Sequence, residues 1–151
     1  MSQSLSKLYI HLVFYIKNPR VYIKNVDQSK LFAYIGTIIK DNGSIPVIIN
    51  GVSDHVHILC VMSKNIALAK LIEEIKRHSN RWIKTQGEFY KQFAWQGGYA
   101  AFSVSQSLHD KTKSYIKNQV EHHNKMTFKD ELIAFLEEYE IEYDERYLWT
   151  D

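Results

Sequence analysis

The stretch that decides the fold is IPVIINGVSDHVHILCVM, Ile45 to Met62. Two runs rich in Ile and Val, Ile45–Gly51 and Val56–Met62, flank a short break around Ser53-Asp54. β-Branched residues suit a pleated, half-buried surface, and two such runs around a polar break read as a hairpin. Upstream, Leu31, Phe32, Ile35, Ile38 and Ile39 recur at helical spacing between Asp27, a candidate cap, and Asn42-Gly43. Downstream, Leu68, Leu71, Ile72, Ile75 and Trp82 mark a second helix over Ile66–Lys84, stopped by Gly87. Two outer strands complete the pattern: KLYIHLVFYIK at Lys7–Lys17, and Tyr99–Val104 after Gly97-Gly98.

The order β-α-β-β-α-β is the split βαβ, ferredoxin-like plan of the α+β class. Residues 1–105 form this core. Ser105 or Ser107 can cap a third helix running to about Lys125, in segment 106–126. Thr127 can cap a fourth, with Phe128, Leu132, Phe135, Leu136 and Tyr139 inward, in an acidic segment 127–151. No linker divides the chain, so 1–151 reads as one domain. The tail Ile141–Trp149, apolar between its acids, is expected to dock.

At 151 residues, 45% apolar and 24% charged, the chain can build one core and is not disordered. No run approaches the ~18 apolar residues of a membrane span, and Met1–Tyr9 lacks a secretory pattern. A lone Cys60 excludes an internal disulfide and a thiolate zinc site. A cytoplasmic address is the expectation. From Lys129 to Asp151 nine acids face two bases, a net −7, which leaves +9 on the rest of a chain whose total is +2. A basic body suggests a polyanionic partner; the acidic tail could equally pack on the body and neutralise it.

Two constellations could carry chemistry. His55 and His57 sit two apart on a strand, so both imidazoles face one side while Val56 faces the core. That is half a metal site, or a solvent face that carries two histidines. Tyr115 and Gln119 sit one turn apart on a helix. The phenol is a candidate nucleophile and the carboxamide oxygen a candidate ligand for a hard cation; an amphipathic helix with a half-buried tyrosine gives the same pattern. Together they supply three ligands, a nucleophile and a basic body that attracts a phosphate backbone. Among lesser candidates, Arg77, Arg81 and Lys84 share a face of the second helix, and Lys111, Lys113 and Lys117 flank Tyr115. For the first set phosphate contact and solvated charge fit equally; the second set is the better placed for contact with a phosphate backbone. Trp95, Tyr99 and Phe102 could stack on bases, with core packing expected for at least two of them. His122, three residues beyond Gln119, could face the site, but a helix-end or DNA-facing role is the expectation for it; His11 has no assignable role.

These pieces resemble the single-tyrosine transposases of small bacterial insertion sequences, the IS200-like family of HUH (His-hydrophobic-His) endonucleases. The resemblance runs through YIHLVFYIK, GVSDHVHIL, IKRHSNRWIK, WQGGYAAFSVSQS, YIKNQVEHH and FLEEYEIEYDERYLW, in that order. It departs at Asn18-Pro19-Arg20, where a more basic turn is expected. The resemblance implies that His55, His57 and Gln119 hold a divalent metal, Mg²⁺ or Mn²⁺, and that Tyr115 attacks single-stranded DNA. The products would be a 5′-phosphotyrosine and a free 3′-OH, with the DNA positioned by a hairpin. It also implies a homodimer in which the tyrosine helix of one subunit completes the histidine pair of the other. Two other classes stay open: a metal-dependent phosphodiester hydrolase using water, and a non-catalytic single-strand nucleic-acid-binding module. The histidine-triad hydrolase pattern would want a third His at 59, which is Leu59.

Overall fold

The computed structural model describes residues 2–149. Four strands, β1 (Tyr9–Tyr15), β2 (Ile45–Gly51), β3 (His55–Val61) and β4 (Ala100–Val104), form one antiparallel sheet in the order β2-β3-β1-β4. Helices α1 (Asn25–Asp41) and α2 (Leu68–Ile83) are the crossovers. This is the expected split βαβ arrangement, and the hairpin joins β2 to β3 as the sequence predicts.

Alternation sorts the strand side chains into two layers. Leu12, Phe14, Val56, Ile58 and Cys60 face α1 and α2, where they meet Leu31, Ile35, Ile39, Leu71, Ile72 and Ile75 in one buried cluster. Each such side chain contributes roughly 1.5–3 kcal/mol when fully buried. The opposite face carries Tyr9, His11, Val13, His57, Leu59, Phe102 and Val104, and the C-terminal third of the chain covers it.

Asp27 does not cap α1, whose N-cap is Lys24. No side chain caps this end; the Tyr90 hydroxyl braces it by accepting from the Lys24 amide at 3.0 Å and donating to Asp27 at 2.6 Å. The single helix expected over 106–126 is divided. A 3₁₀ turn, Gln106–Leu108, leads into α3 (His109–Lys117), and α4 (Gln119–His123) follows a break at Asn118. Neither Ser105 nor Ser107 provides a side-chain cap; the two hydroxyls bond to each other at 3.0 Å. The break has a visible cause. The Asn50 amide on β2 donates to the carbonyls of Ile116 and Lys117, both at 3.0 Å, and so ends α3 over the sheet. Thr127 caps α5 (Phe128–Glu138) as expected, accepting from the Asp130 amide at 3.2 Å. The tail docks through α6 (Glu145–Leu148), with the Tyr15 hydroxyl donating to the Leu148 carbonyl at 2.9 Å. No helix among the described residues is long and apolar enough to cross a membrane.

Candidate active site

His55 opens β3 directly after the turn. Gly51, at the other end of that turn, lies so close that a Cβ there would collide with the His55 carbonyl. Glycine is required for this approach, which fixes where the histidine pair begins. His55 and His57 are both fully buried. Val56 points the other way into the α1–α2 core.

Both imidazoles are held from behind. His55 Nδ1 lies 2.7 Å from Asp54 Oδ1, and His57 Nδ1 lies 2.8 Å from His11 Nε2. Each therefore turns Nε2 towards the same point. Three side chains from the C-terminal helices meet them there. Gln119 Oε1, from α4, is 3.2 Å from His55 Nε2 and 3.2 Å from His123 Nε2. Glu131, from α5, sets Oε1 at 2.7 Å from His57 Nε2, 3.4 Å from His123 Nε2 and 3.6 Å from His55 Nε2. Its other oxygen accepts the Tyr115 hydroxyl of α3.

The electrostatics follow from this enclosure. Burial holds His57 at about 4 and His11 at about 3, well below an ordinary histidine. Burial alone would raise Glu131, but hydrogen bonds from His123, His57 and Tyr115 outweigh it and keep the carboxyl ionised far below its usual range. Burial, then the bond to Glu131, pushes the Tyr115 phenol well above its ordinary value. In this arrangement Tyr115 is a restrained phenol and not a ready phenolate.

A cation fits the donor set. With Nδ1–H of His55 directed at the Asp54 carboxylate, its Nε2 lone pair faces two oxygens, Gln119 Oε1 and Glu131 Oε1. Acceptors converging on one buried point are satisfied by a donated proton or by a metal ion between them. The ligating atoms of His55, His57, His123 and Glu131 all lie within 4.8 Å of one another.

The residues singled out from sequence divide into two groups. His55, His57, Tyr115 and Gln119 come together within one chain. Lys111, Lys113 and Lys117 are exposed on α3. Lys111 also lines a cleft of about 200 Å³ between α3 and α5, whose wall includes Tyr115, Phe135 and Glu138. Arg77, Arg81 and Lys84 lie far from the histidines. Arg77 and Arg81 are on α2 and Lys84 directly follows it, in the layer packed on the other side of the sheet, and Arg77 is engaged by Glu74 at 2.6 Å. Trp95 and Phe102 are core residues, whereas Tyr99 is exposed.

Three site residues escaped the sequence reading. His123, not His122, faces His55; the His122 ring instead lies against Tyr115, with centroids 4.4 Å apart. His11 sits on the same strand face as the pair, a signal present in the alternation of β1 once its register with β3 is known. Glu131 was one acid among nine in the tail.

Comparison with known proteins now places the chain. The family model for IS200-like transposases matches residues 4–119. The chain belongs to that family. Solved structures agree with the fold. A Deinococcus radiodurans R1 protein assigned as a transposase superposes with a TM-score of 0.59 at 22% identity, covering 79% of this chain and 98% of that one. A REP-associated tyrosine transposase bound to a REP hairpin superposes at 0.53 and 11% identity, covering 83% and 74%. No curated protein sequence matches. In this IS200-like transposase the matching stretch ends at Gln119, so His123 and Glu131 lie beyond it.

Proposed function

We propose that this transposase cleaves and rejoins single-stranded DNA through Tyr115. The convergence of the Tyr115 hydroxyl, the His55–His57 pair and Gln119 on one buried point carries the reading. A divalent cation, Mg²⁺ or Mn²⁺, held by His55, His57 and Gln119 would polarise a scissile phosphate and offset charge developing on it. Tyr115 Oη gives up its proton to solvent and attacks phosphorus, the bond to the 3′ oxygen breaks, and that oxygen takes up a proton from solvent and leaves as a 3′-OH. The phosphodiester is conserved as a 5′-phosphotyrosine. A second 3′-OH reverses the step and joins new ends, so no nucleotide cofactor is required.

His11 and Asp54 keep the imidazoles aimed, and the Asn50 bonds to the end of α3 hold Tyr115 over the sheet. Lys111, Lys113 and Lys117 would take the DNA backbone as it enters the cleft beside Tyr115. Arg77, Arg81 and Lys84, on the opposite layer, would serve only a more distant part of the substrate, such as a hairpin stem. The REP hairpin bound by the structural neighbour supports a hairpin as the positioning element. A homodimer would bring two such sites together for strand exchange, with the tyrosine helix of one subunit completing the histidine pair of the other.

The test is incubation of labelled single-stranded DNA bearing a hairpin with Mn²⁺ or Mg²⁺, followed by denaturing electrophoresis. A DNA adduct on the protein is expected, and Tyr115→Phe should abolish it. Cleavage that survives Tyr115→Phe would point to a hydrolase using water. Binding with no cleavage in either metal would point to a binding module.

A further inference from the structure

We propose that a cation held by His55 and His57 takes His123 and Glu131 as further ligands when DNA is absent, which pins α5 shut over the active face. The proposal rests on the reading that the histidine pair holds a divalent ion. It assigns that ion two alternative ligand sets, an open one with Gln119 and a closed one with His123 and Glu131.

The observations are geometric. Four protein ligands at about 2.0–2.1 Å in a tetrahedron stand about 3.4 Å from each other. Glu131 Oε1 stands 3.4 Å from His123 Nε2 and 3.6 Å from His55 Nε2. Its 2.7 Å approach to His57 is a hydrogen bond that would lengthen as an ion entered between them. Second contacts are already placed: Asp54 behind His55, His11 behind His57, and the Tyr115 hydroxyl on the free oxygen of Glu131. Metal sites are commonly supported in this way.

Closure has a direct consequence for the substrate. Glu131 is 2% exposed and His55, His57 and Gln119 are 0% exposed, so a phosphate oxygen has no path to the ion while α5 is seated. The same carboxylate occupies the Tyr115 hydroxyl. One displacement, Glu131 leaving with α5, frees both the coordination position and the nucleophile. α5 packs as one unit, separate from the α1–α2 core. Thr127 caps its start, and its apolar side, Phe128, Leu132 and Leu136, rests on Val13 and Phe102, set apart from the α1–α2 core. The ligand chemistry also differs between the two sets. Three imidazoles and a carboxylate suit Zn²⁺ or Co²⁺, whereas two imidazoles, a carboxamide and a phosphate oxygen suit Mn²⁺ or Mg²⁺.

The experiment uses the full chain stripped with EDTA, then titrated with Co²⁺, in wild type, Glu131→Gln and His123→Ala. Visible absorption reports coordination number and amide hydrogen exchange of residues 128–138 reports α5. Wild type should show the intense bands of four-coordinate Co²⁺ and at least tenfold slower exchange in α5 on binding. Both variants should bind at least tenfold more weakly, lose those bands and show no metal-dependent slowing. A hairpin-bearing oligonucleotide added to the Co²⁺-loaded wild type should reverse the slowing. Wild-type affinity and spectrum in Glu131→Gln, the more conservative variant, would overturn the proposal while leaving the histidine pair as a metal site. So would α5 exchange indifferent to Co²⁺ in the wild type. A wild type that binds no Co²⁺, Mn²⁺ or Mg²⁺ would overturn both this proposal and the cation's role in cleavage.

Discussion

The two faces of the sheet are built on opposite principles. On one, the strand side chains that meet α1 and α2, Leu12, Phe14, Val56, Ile58 and Cys60, are all apolar. On the other, three histidines and a glutamate are buried under helices from the end of the chain. The first face gains stability from close packing. The second spends some of it, because buried ionisable groups are costly unless each finds a partner. The alternation of β3 separates the two: His55 and His57 on one side, Val56 and Ile58 on the other. A single strand thus carries the core and the chemistry back to back.

That contrast can be broken by mutation, and the largest effect should fall on the histidine face. His57→Ala should lower DNA cleavage by roughly a thousandfold or more, the several kcal/mol that a metal ion supplies to a phosphoryl transition state. Hairpin binding should persist, as measured by gel shift, with the fold checked by circular dichroism. Cleavage at wild-type level would remove His57 from the site.

On the opposite face the balance should reverse. Phe14→Ala removes a fully buried ring that packs edge-on against Trp95, at a centroid distance of 4.8 Å. It should cost about 3–5 kcal/mol of stability in a urea melt. Folded Phe14→Ala at low temperature should still form the DNA adduct. A loss below about 1 kcal/mol would mean that this layer is as loosely built as the other.

Acid sharpens the comparison further. Burial holds His57 at about 4 and His11 at about 3, below the ~6.5 of an unfolded histidine. The unfolded chain therefore takes up more protons as pH falls. The contribution is fully present above pH 6.5 and is lost towards pH 4, by at most about 1.4 kcal/mol per pH unit for each group. Urea midpoints in EDTA should be lower at pH 5 than at pH 7. Equal midpoints would place both rings in contact with water.

The smallest effect should come from the edge of the histidine face. Thr127→Ala removes the cap of α5 and should cost about 1 kcal/mol. Amide exchange should quicken in residues 128–138 and stay unchanged in α2. Uniform quickening across the chain would mean that α5 opens only with global unfolding.

The elements most legible in the sequence are those whose apolar spacing repeats. Leu31, Ile35 and Ile39 of α1, and Leu71 and Ile75 of α2, lie where periodicity puts them. The Ile45–Gly51 strand has the observed bounds. The helix ends were less legible, for local reasons that are not local in sequence. The Tyr90 hydroxyl bonds both Lys24 and Asp27 at the start of α1, and Asn50 ends α3 at Lys117. In both cases a side chain more than sixty residues away supplies the hydrogen bond.

The candidate site divides in the same way. His-x-His on a strand and Tyr-x-x-x-Gln near a helix are spacings that a sequence displays. Glu131 has no such signature. It stands between Asp130 and Leu132 in a run of acids, and only the docking of α5 selects it to meet His57 and Tyr115. His123 is chosen over His122 by the same docking.

The sequence by itself determined the order of strands and crossover helices in the β-α-β-β-α-β core and the common direction of the two imidazoles, while Tyr115 was singled out by the family resemblance. The first two follow from backbone periods of about 2 and 3.6 residues, which any segment carries within itself. Only the tertiary structure decided which acid closes the site and which third and fourth histidines, His11 and His123, attend it. Those choices depend on the register of β1 against β3 and on where α5 comes to rest, and neither is written in the spacing of neighbouring residues.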